Sequence, residues 1–174
     1  MMSHPTIRRT LVVAATAVLG ATALVTAPAV SAAPMTAEKP AALVVSGDMA
    51  VAPGVHLLRI EAIGARTADG KTMGTYRATV LDGMNPTPTQ VRGPITCLYT
   101  AGNTASLIYP ITATTPDVLP AAARGAAAVQ ITVRKGVSGA PSHVGIMGPM
   151  ATSSFDGCRP AMTPFVFDGM IGIK

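Results

Sequence analysis

The stretch Val129-Gln130-Ile131-Thr132-Val133-Arg134 alternates an apolar with a polar side chain at every step. Successive side chains on a β-strand point to opposite faces of a sheet, so the alternation predicts a strand with one buried and one solvated face. The pair Lys135-Gly136 follows and ends the run. This stretch indicates a protein built from sheet.

The same period of two recurs on both sides of that stretch. Its clearest repeat is at 56–62, where Leu58, Ile60 and Ala62 share one face. The run at 41–45 is shorter and also fits a helix fragment. Further strands are predicted at 76–80, 90–99, 104–109, 143–147 and 165–173.

Turn-forming residues separate these segments. Asp69-Gly70 and Gly102-Asn103 predict two hairpins, because glycine supplies the positive φ that tight turns require. Two prolines within 83–89 predict a loop. Asp168-Gly169 predicts a bulge or bend inside the last strand, and Pro120 to Gly125 fits one helical turn.

Short strands without a long helical period between them predict an all-β fold: an antiparallel sandwich or small barrel of seven or eight short strands. A parallel α/β architecture is poorly supported. The chain holds no Trp and only 3% aromatic residues, so we expect a core of Val, Ile, Leu, Ala and Met.

The first 32 residues resemble a cleaved signal peptide. Arg8 and Arg9 precede an apolar run over 11–27, and Val30-Ser31-Ala32 before Ala33 offers the small residues of a cleavage site. Two alternatives are a permanent membrane anchor, which the Gly, Thr and Pro in the run disfavour, and twin-arginine export. The protein is therefore expected to be secreted, into the extracellular space or the cell envelope, without a stable membrane anchor after cleavage.

Cleavage would leave 142 of the 174 residues and lower the formal net charge from +5 to +3 by removing two arginines. The remainder divides into a flexible tether at 33–40 and a single β-domain at 41–174. The only basic pair in that remainder is Arg134-Lys135, so the clustered cations that nucleic-acid binding needs are missing from its sequence.

Two cysteines, Cys97 and Cys158, remain after export. An isolated pair in an oxidising compartment predicts one disulfide. Two reduced thiols, or a bond to a partner chain, are the alternatives.

Candidate catalytic groups are few. His56 and His143 are the two histidines outside the leader, and Ser138 lies in a Gly-Val-Ser-Gly-Ala run similar to a nucleophile turn. Ala140 replaces the glycine that such a turn requires, so a loop is the better interpretation. We expect no enzyme; the alternative is a weak hydrolase that uses His56 or His143.

The acidic residues do not form an evident pair for acid-base chemistry. Four aspartates precede glycine and are explained by turns: Asp69, Asp82, Asp156 and Asp168. Glu61 is expected to form a solvated pair with Arg59 on the same strand.

Soft metal ligands come close together near the C-terminus, where copper is the metal to consider. The candidates are His143, Met147, Met150, Cys158 and Met162. A disulfide would remove Cys158 as a ligand, and no second histidine follows it. We therefore expect no metal and no cofactor, with the methionines filling the core.

The run Gly93-Pro94-Ile95-Thr96-Cys97-Leu98, followed by Gly102-Asn103-Thr104-Ala105, resembles small secreted bacterial β-rich proteins of unknown function. Those share a G-x-[IV]-T-C-L strand that meets a G-N-x-A turn. The resemblance covers about 20 residues and implies a β fold and export, without any activity to carry over. Pro94 departs from the pattern and predicts an edge strand.

These observations predict a secreted, non-enzymatic β-domain that binds a protein partner or a small apolar ligand. The alternative is an extracellular protease inhibitor that presents the loop at 147–163, which Cys158 would tether.

Overall fold

A computed structural model describes residues 39–174, in which ten strands form one antiparallel sheet. The predicted signal peptide, its predicted cleavage residues and positions 33–38 of the predicted tether lie outside the described residues. The strand order in the sheet is β5-β6-β8-β9-β10-β1-β2-β3-β4-β7. The strands are β1 (Ala41–Ala52), β2 (Val55–Arg66), β3 (Thr72–Asp82), β4 (Asn85–Pro94), β5 (Cys97–Ala101), β6 (Thr104–Pro110), β7 (Ala113–Thr115), β8 (Ala127–Arg134), β9 (Ser142–Ala151) and β10 (Phe165–Ile173).

The all-β antiparallel prediction is confirmed. One folded sheet takes the place of a two-sheet sandwich, and the sheet is not closed into a barrel, since β5 and β7 are its edges. The segment 104–115 brings the two ends close, because β6 pairs with β8 while β7, three residues further on, pairs with β4. One hydrophobic cluster, which includes Leu43, Ile60, Leu107 and Ile131, fills the inside of the fold.

The predicted strand at 90–99 is two strands, so that prediction was wrong. β4 ends at Pro94, and the chain then crosses from β3 to β6: the Ile95 amide donates to the Gly74 carbonyl, and the Thr96 amide to the Ile108 carbonyl, both at 3.0 Å. Ile95 enters the main core, whereas Cys97 and Tyr99 pack in a smaller cluster on the other side. Proline at the last position of β4 ends a strand readily because it has no N–H to donate.

The loop predicted at 83–89 is shorter than expected. Only Gly83 and Met84 form the turn, and β4 begins at Asn85. β7 pairs only with Gln90, Val91 and Arg92, so the outer edge of the first half of β4 has no neighbouring strand among residues 39–174. Pro86 and Pro88 are tolerated there because proline fits a strand edge.

The bulge predicted at Asp168-Gly169 is absent. Pairing of β10 with β1 runs without a shift from Val166 to Ile173, and Gly169 lies directly opposite Gly47. A Cβ on Gly169 would meet the backbone of Ser46 and Gly47, so this glycine permits close approach of two strands. The predicted shared face of Phe165, Phe167, Ile171 and Ile173 is confirmed, since all four pack in the core.

The turn predictions are largely confirmed. The hairpin at Asp69-Gly70 has a loop over 67–71, closed by a 3.0 Å hydrogen bond from the Thr67 amide to the Lys71 carbonyl. Gly102-Asn103 joins β5 to β6, and the helical turn near Pro120 is a single 3-10 turn, Ala121–Ala123. Within residues 39–174, no helix has the length and apolar character that a membrane span needs.

Strand β8, which contains the most regular alternation, is buried on both faces rather than on one. Gln130 and Thr132 are covered by the segment 155–164, called here the covering loop. The Gln130 side-chain amide donates to Ser106 Oγ (2.9 Å) and to the Arg159 carbonyl, and the Ala161 amide donates to Thr132 Oγ1 at 2.9 Å. These hydrogen bonds let the polar face leave solvent.

Candidate functional site

An apolar cavity of about 270 Å³ lies where β2, β3 and β4 face β6, β8 and β9. Its walls include Leu58, Ala78 and Val80 on one side and Ile131 and Ile146 on the other. These side chains point inward because of the two-residue period of their strands, and Leu58 lies opposite Val80 in the β2–β3 register. Thr89 and Gln90, which also border it, are more exposed than the core residues.

Ala78 explains in part why the space stays unfilled. It is buried on β3 between Tyr76 and Val80, and its side chain ends at Cβ. Protein interiors are normally packed as densely as organic crystals, so a space larger than a few water molecules inside a small fold is unusual. A small residue at the centre of the wall leaves room for a guest.

Two stacked tyrosines close one side of the cavity. The rings of Tyr76 and Tyr109 lie 3.7 Å apart between centroids and 17° from parallel. The Tyr76 hydroxyl is buried and has no hydrogen-bond partner among the described residues. Both rings form part of the cavity wall.

The two phenols stay uncharged over a wide pH range. Burial raises the pKa of Tyr76 well above its ordinary value, and the neighbouring Tyr109 raises it further. Burial also raises the pKa of Tyr109, although the adjacent Tyr76 hydroxyl lowers it in part. The desolvation of each ring disfavours the phenolate, so the wall of the cavity carries no charge at neutral pH.

The structure brings His56 together with Asp168, a contact that the sequence did not predict. His56 Nε2 lies 2.9 Å from Asp168 Oδ2, and the histidine is far more buried than the carboxylate, with side-chain exposures of 11% and 61%. His56 Nδ1 is buried without a hydrogen-bond partner in the described part of the chain. A triad would need a nucleophile hydroxyl on the second nitrogen, and none is bonded there.

The other catalytic candidates lie apart. Ser138 is exposed in the turn between β8 and β9, with a positive φ of 53°, and the Ala140 amide closes that turn onto the Val137 carbonyl. The chain continues into a strand rather than a helix, so the strand-to-helix context of a nucleophile turn is absent here. His143 is the second residue of β9 and lies opposite Arg134 of β8.

Asp69 and Asp156 lie in a turn and a loop as predicted, whereas Asp82 is the last residue of β3, directly before the turn at Gly83 and Met84. Asp168 is not in a turn: it lies within β10 opposite Asp48, and its glycine serves strand contact. Glu61 was predicted to pair with Arg59 and instead binds Arg77, with Arg77 Nε 2.7 Å from Glu61 Oε2. Arg59 binds Asp48 through two hydrogen bonds of 2.8 and 3.0 Å.

The predicted disulfide joins Cys97 to Cys158, with an S–S distance of 2.04 Å. Cys158 is therefore not a thiolate ligand for copper. Met147 and Met150 lie on β9, and Met162 lies on the covering loop with 85% of its area exposed. Among residues 39–174, no group of three or more His, Cys, Asp or Glu side chains is placed to hold a metal ion.

The loop predicted to inhibit proteases, at 147–163, consists of the end of β9, a 3-10 turn at Thr152–Ser154 and most of the covering loop. The disulfide at Cys158 and the hydrogen bonds at Arg159 and Ala161 hold it on the sheet. The Met162 carbonyl packs against Gly145 so closely that a Cβ there would overlap it. The Met162 side chain is thus presented to solvent while its carbonyl faces the sheet.

Comparisons with protein-family models, with curated proteins and with solved structures find no match to this chain. The site must therefore be interpreted from its own residues.

The sequence predicted a small apolar ligand but did not identify the residues that line the cavity. One signal was present: all three tyrosines in a chain poor in aromatic residues lie within predicted strands, and two of them, Tyr76 and Tyr109, stack in the structure. Their stacking depends on β3 facing β6 across the fold, which the sequence does not specify.

Proposed function

We propose that this chain is a secreted, non-enzymatic β-domain that holds a small apolar ligand in the cavity beside Tyr76 and Tyr109, in the extracellular space or the cell envelope. The leader at 1–32 supports export, and the Cys97–Cys158 disulfide is compatible with an oxidising compartment.

The cavity carries this proposal. An engineered apolar cavity of about 150 Å³ binds benzene in another protein, and this one measures about 270 Å³. Ligand pockets begin near 300 Å³ and are lined mainly by apolar and aromatic side chains with few polar groups. A neutral, largely hydrocarbon molecule somewhat larger than benzene therefore fits the site.

Titration with N-phenyl-1-naphthylamine, a neutral probe that fluoresces in apolar surroundings, tests the proposal on the exported protein. We expect saturable fluorescence in the unmodified protein. The variant Ala78→Leu extends a side chain into the cavity, which has room for it, and should weaken probe binding at least tenfold. Ala151→Leu makes the same change at the exposed end of β9 and should leave the affinity unchanged.

Equal probe affinity in the unmodified protein and in Ala78→Leu would contradict the proposal. Native mass spectrometry of the protein from its own culture medium provides a second measurement. It should show an added mass that disappears in Ala78→Leu.

Protease inhibition by the 147–163 loop is the second candidate. The exposed Met162 side chain on a tethered loop favours it, whereas the packing of the Met162 carbonyl against Gly145 leaves no free peptide bond at that residue for a protease to engage. We therefore rank it second. Stoichiometric inhibition of a serine-protease panel that is lost in Met162→Gly would reverse the order.

A further inference from the structure

The outer face of β1–β4 carries a second concave region, a groove of about 710 Å³ on the side of the sheet opposite the core. A row of polar side chains crosses it: Glu61, Arg77 and Arg92 lie directly opposite one another in the register of β2, β3 and β4. Residues at such positions have Cβ atoms about 4.5–5.5 Å apart, so their charges interact strongly.

The charges in this row do not balance. Arg77 is neutralised by Glu61 at 2.7 Å. Arg92 is exposed and has no carboxylate partner within residues 39–174; its guanidinium makes one long contact of 3.4 Å, to Thr115 Oγ1. Two arginines directly opposite each other repel, which destabilises the pair. The row therefore carries one uncompensated positive charge and an unfilled set of guanidinium donors.

Apolar side chains line the groove next to this row. Two residues further along β2, β3 and β4, about 7 Å away, the same face carries Ile63, Thr75 and Pro94, and Val44 of β1 lies opposite Ile63. Ile63 is 64% exposed and Val44 is 37% exposed, so this part of the groove presents apolar carbon to a ligand. The Arg92 guanidinium thus lies beside a mostly apolar strip, formed by Val44, Ile63 and Pro94, on the same face of the sheet.

We propose that this groove binds a monoanionic carboxylate on an apolar body, with the carboxylate on Arg92 and the hydrocarbon along Ile63 and Pro94. A guanidinium matches a carboxylate in two parallel hydrogen bonds. A single uncompensated charge suits a monoanion, whereas a phosphate dianion would need a second uncompensated positive charge. This site is separate from the cavity of the proposed function, which lies on the inner side of the sheet.

Octanoate is the probe, and the side-chain Nε–Hε signals of the arginines in proton–nitrogen NMR spectra are the measurement. We expect octanoate to shift the Arg92 and Arg77 signals saturably, and 1-octanol to leave them in place. Arg92→Gln should weaken octanoate binding at this site at least tenfold, because it removes both the positive charge and the paired guanidinium donors. In this variant the Arg77 signal reports binding. Arg92→Lys should bind with intermediate affinity, since it keeps only the charge.

Two controls separate this site from others. Arg134→Gln removes an exposed arginine on β8 and should not change the affinity. Ala78→Leu fills the inner cavity and should leave the octanoate-induced shifts intact, so the groove can succeed or fail independently of the proposed function.

Undiminished octanoate binding in Arg92→Gln would overturn the proposal. Equally strong binding of acetate would remove the apolar strip from the site, and tighter binding of octyl phosphate would overturn the assignment of a carboxylate.

Discussion

At Tyr76, burial and hydrogen bonding are in conflict. The residue is 2% exposed, and its hydroxyl has no hydrogen-bond partner among the described residues. A buried polar group left unpaired costs about 1–3 kcal/mol. We expect Tyr76→Phe to raise the free energy of unfolding by about 1 kcal/mol, because the ring and its stacking on Tyr109 remain while the desolvated hydroxyl is removed.

Urea denaturation of the two proteins measures this difference. Tyr99→Phe, at a half-buried position on β5, serves as the matched control and should change the stability little. A loss of more than 1 kcal/mol in Tyr76→Phe would mean that the hydroxyl has a stabilising partner.

The same two tyrosines predict loss of stability at alkaline pH. Burial raises the pKa of both Tyr76 and Tyr109 above the ordinary value of 10.0, so the folded chain retains phenolic protons that the unfolded chain releases. The contribution of these two tyrosines to the free energy of unfolding is fully present below pH 10. It falls as the pH rises further, by up to about 1.4 kcal/mol per pH unit for each tyrosine. Denaturation at a series of pH values from 9 to 11.5 tests this, and Tyr109→Phe should make the decline shallower. An identical slope in that variant would contradict the assignment.

Single-residue pairings show where sequence reasoning reaches its limit. Glu61 and Arg59 are two positions apart on one strand, which places their Cα atoms about 7 Å apart. Residues directly opposite on neighbouring strands are closer, so Glu61 forms an ion pair with Arg77, and Arg59 forms one with Asp48. His56 and Asp168 meet across 112 positions of sequence, and no local pattern indicates that contact.

At the scale of elements, the covering loop depends on a glycine. Gly145 on β9 lies against the Met162 carbonyl, and an added Cβ would collide with that backbone atom. We expect Gly145→Ala to lower the free energy of unfolding by about 2 kcal/mol, because overpacking displaces backbone. Gly172→Ala is the control, since the nearest atom to its added Cβ is 3.8 Å away. Thermal unfolding of both variants measures the effect, and equal midpoints would show that the loop accommodates the methyl group.

Strand identity was predictable, whereas strand limits were not. The alternation of apolar residues located β2, β3, β6, β8 and β10, because that period reflects the pleat itself. The limits depended on neighbours: β4 begins within a proline-rich segment since β7 leaves that edge unpaired, and it ends at Pro94 because the chain crosses to β6.

For the whole molecule, the disulfide joins parts of the chain that are distant in sequence. Cys97 and Cys158 are 61 positions apart and tie the edge strand β5 to the covering loop. Loss of this cross-link from the unfolded chain should cost roughly 4 kcal/mol on the loop-entropy model. We expect Cys97→Ala with Cys158→Ala to lower the stability by an amount approaching this value in urea denaturation. Reduction of the unmodified protein should have a similar effect, and a change below about 1 kcal/mol would contradict it.

Export is tested on the whole chain by its mass. The exported protein should begin at Ala33, after removal of the segment that ends in Val30-Ser31-Ala32. Intact mass spectrometry and N-terminal sequencing of protein from the medium check this directly. Recovery of the uncut chain from the cytosol would contradict the predicted location.

The sequence by itself determined that the chain folds as antiparallel β-structure, because alternation, turn glycines and prolines act within a few residues of each other. It also indicated the cysteine pair, since only two cysteines exist. Tertiary structure alone decided that the sheet folds on itself, that Tyr76 stacks on Tyr109 beside a cavity, and that Arg92 lies on the outer face with no carboxylate partner among residues 39–174. These features depend on which strands become neighbours, and that choice is made by the packing of the whole core rather than by any local pattern.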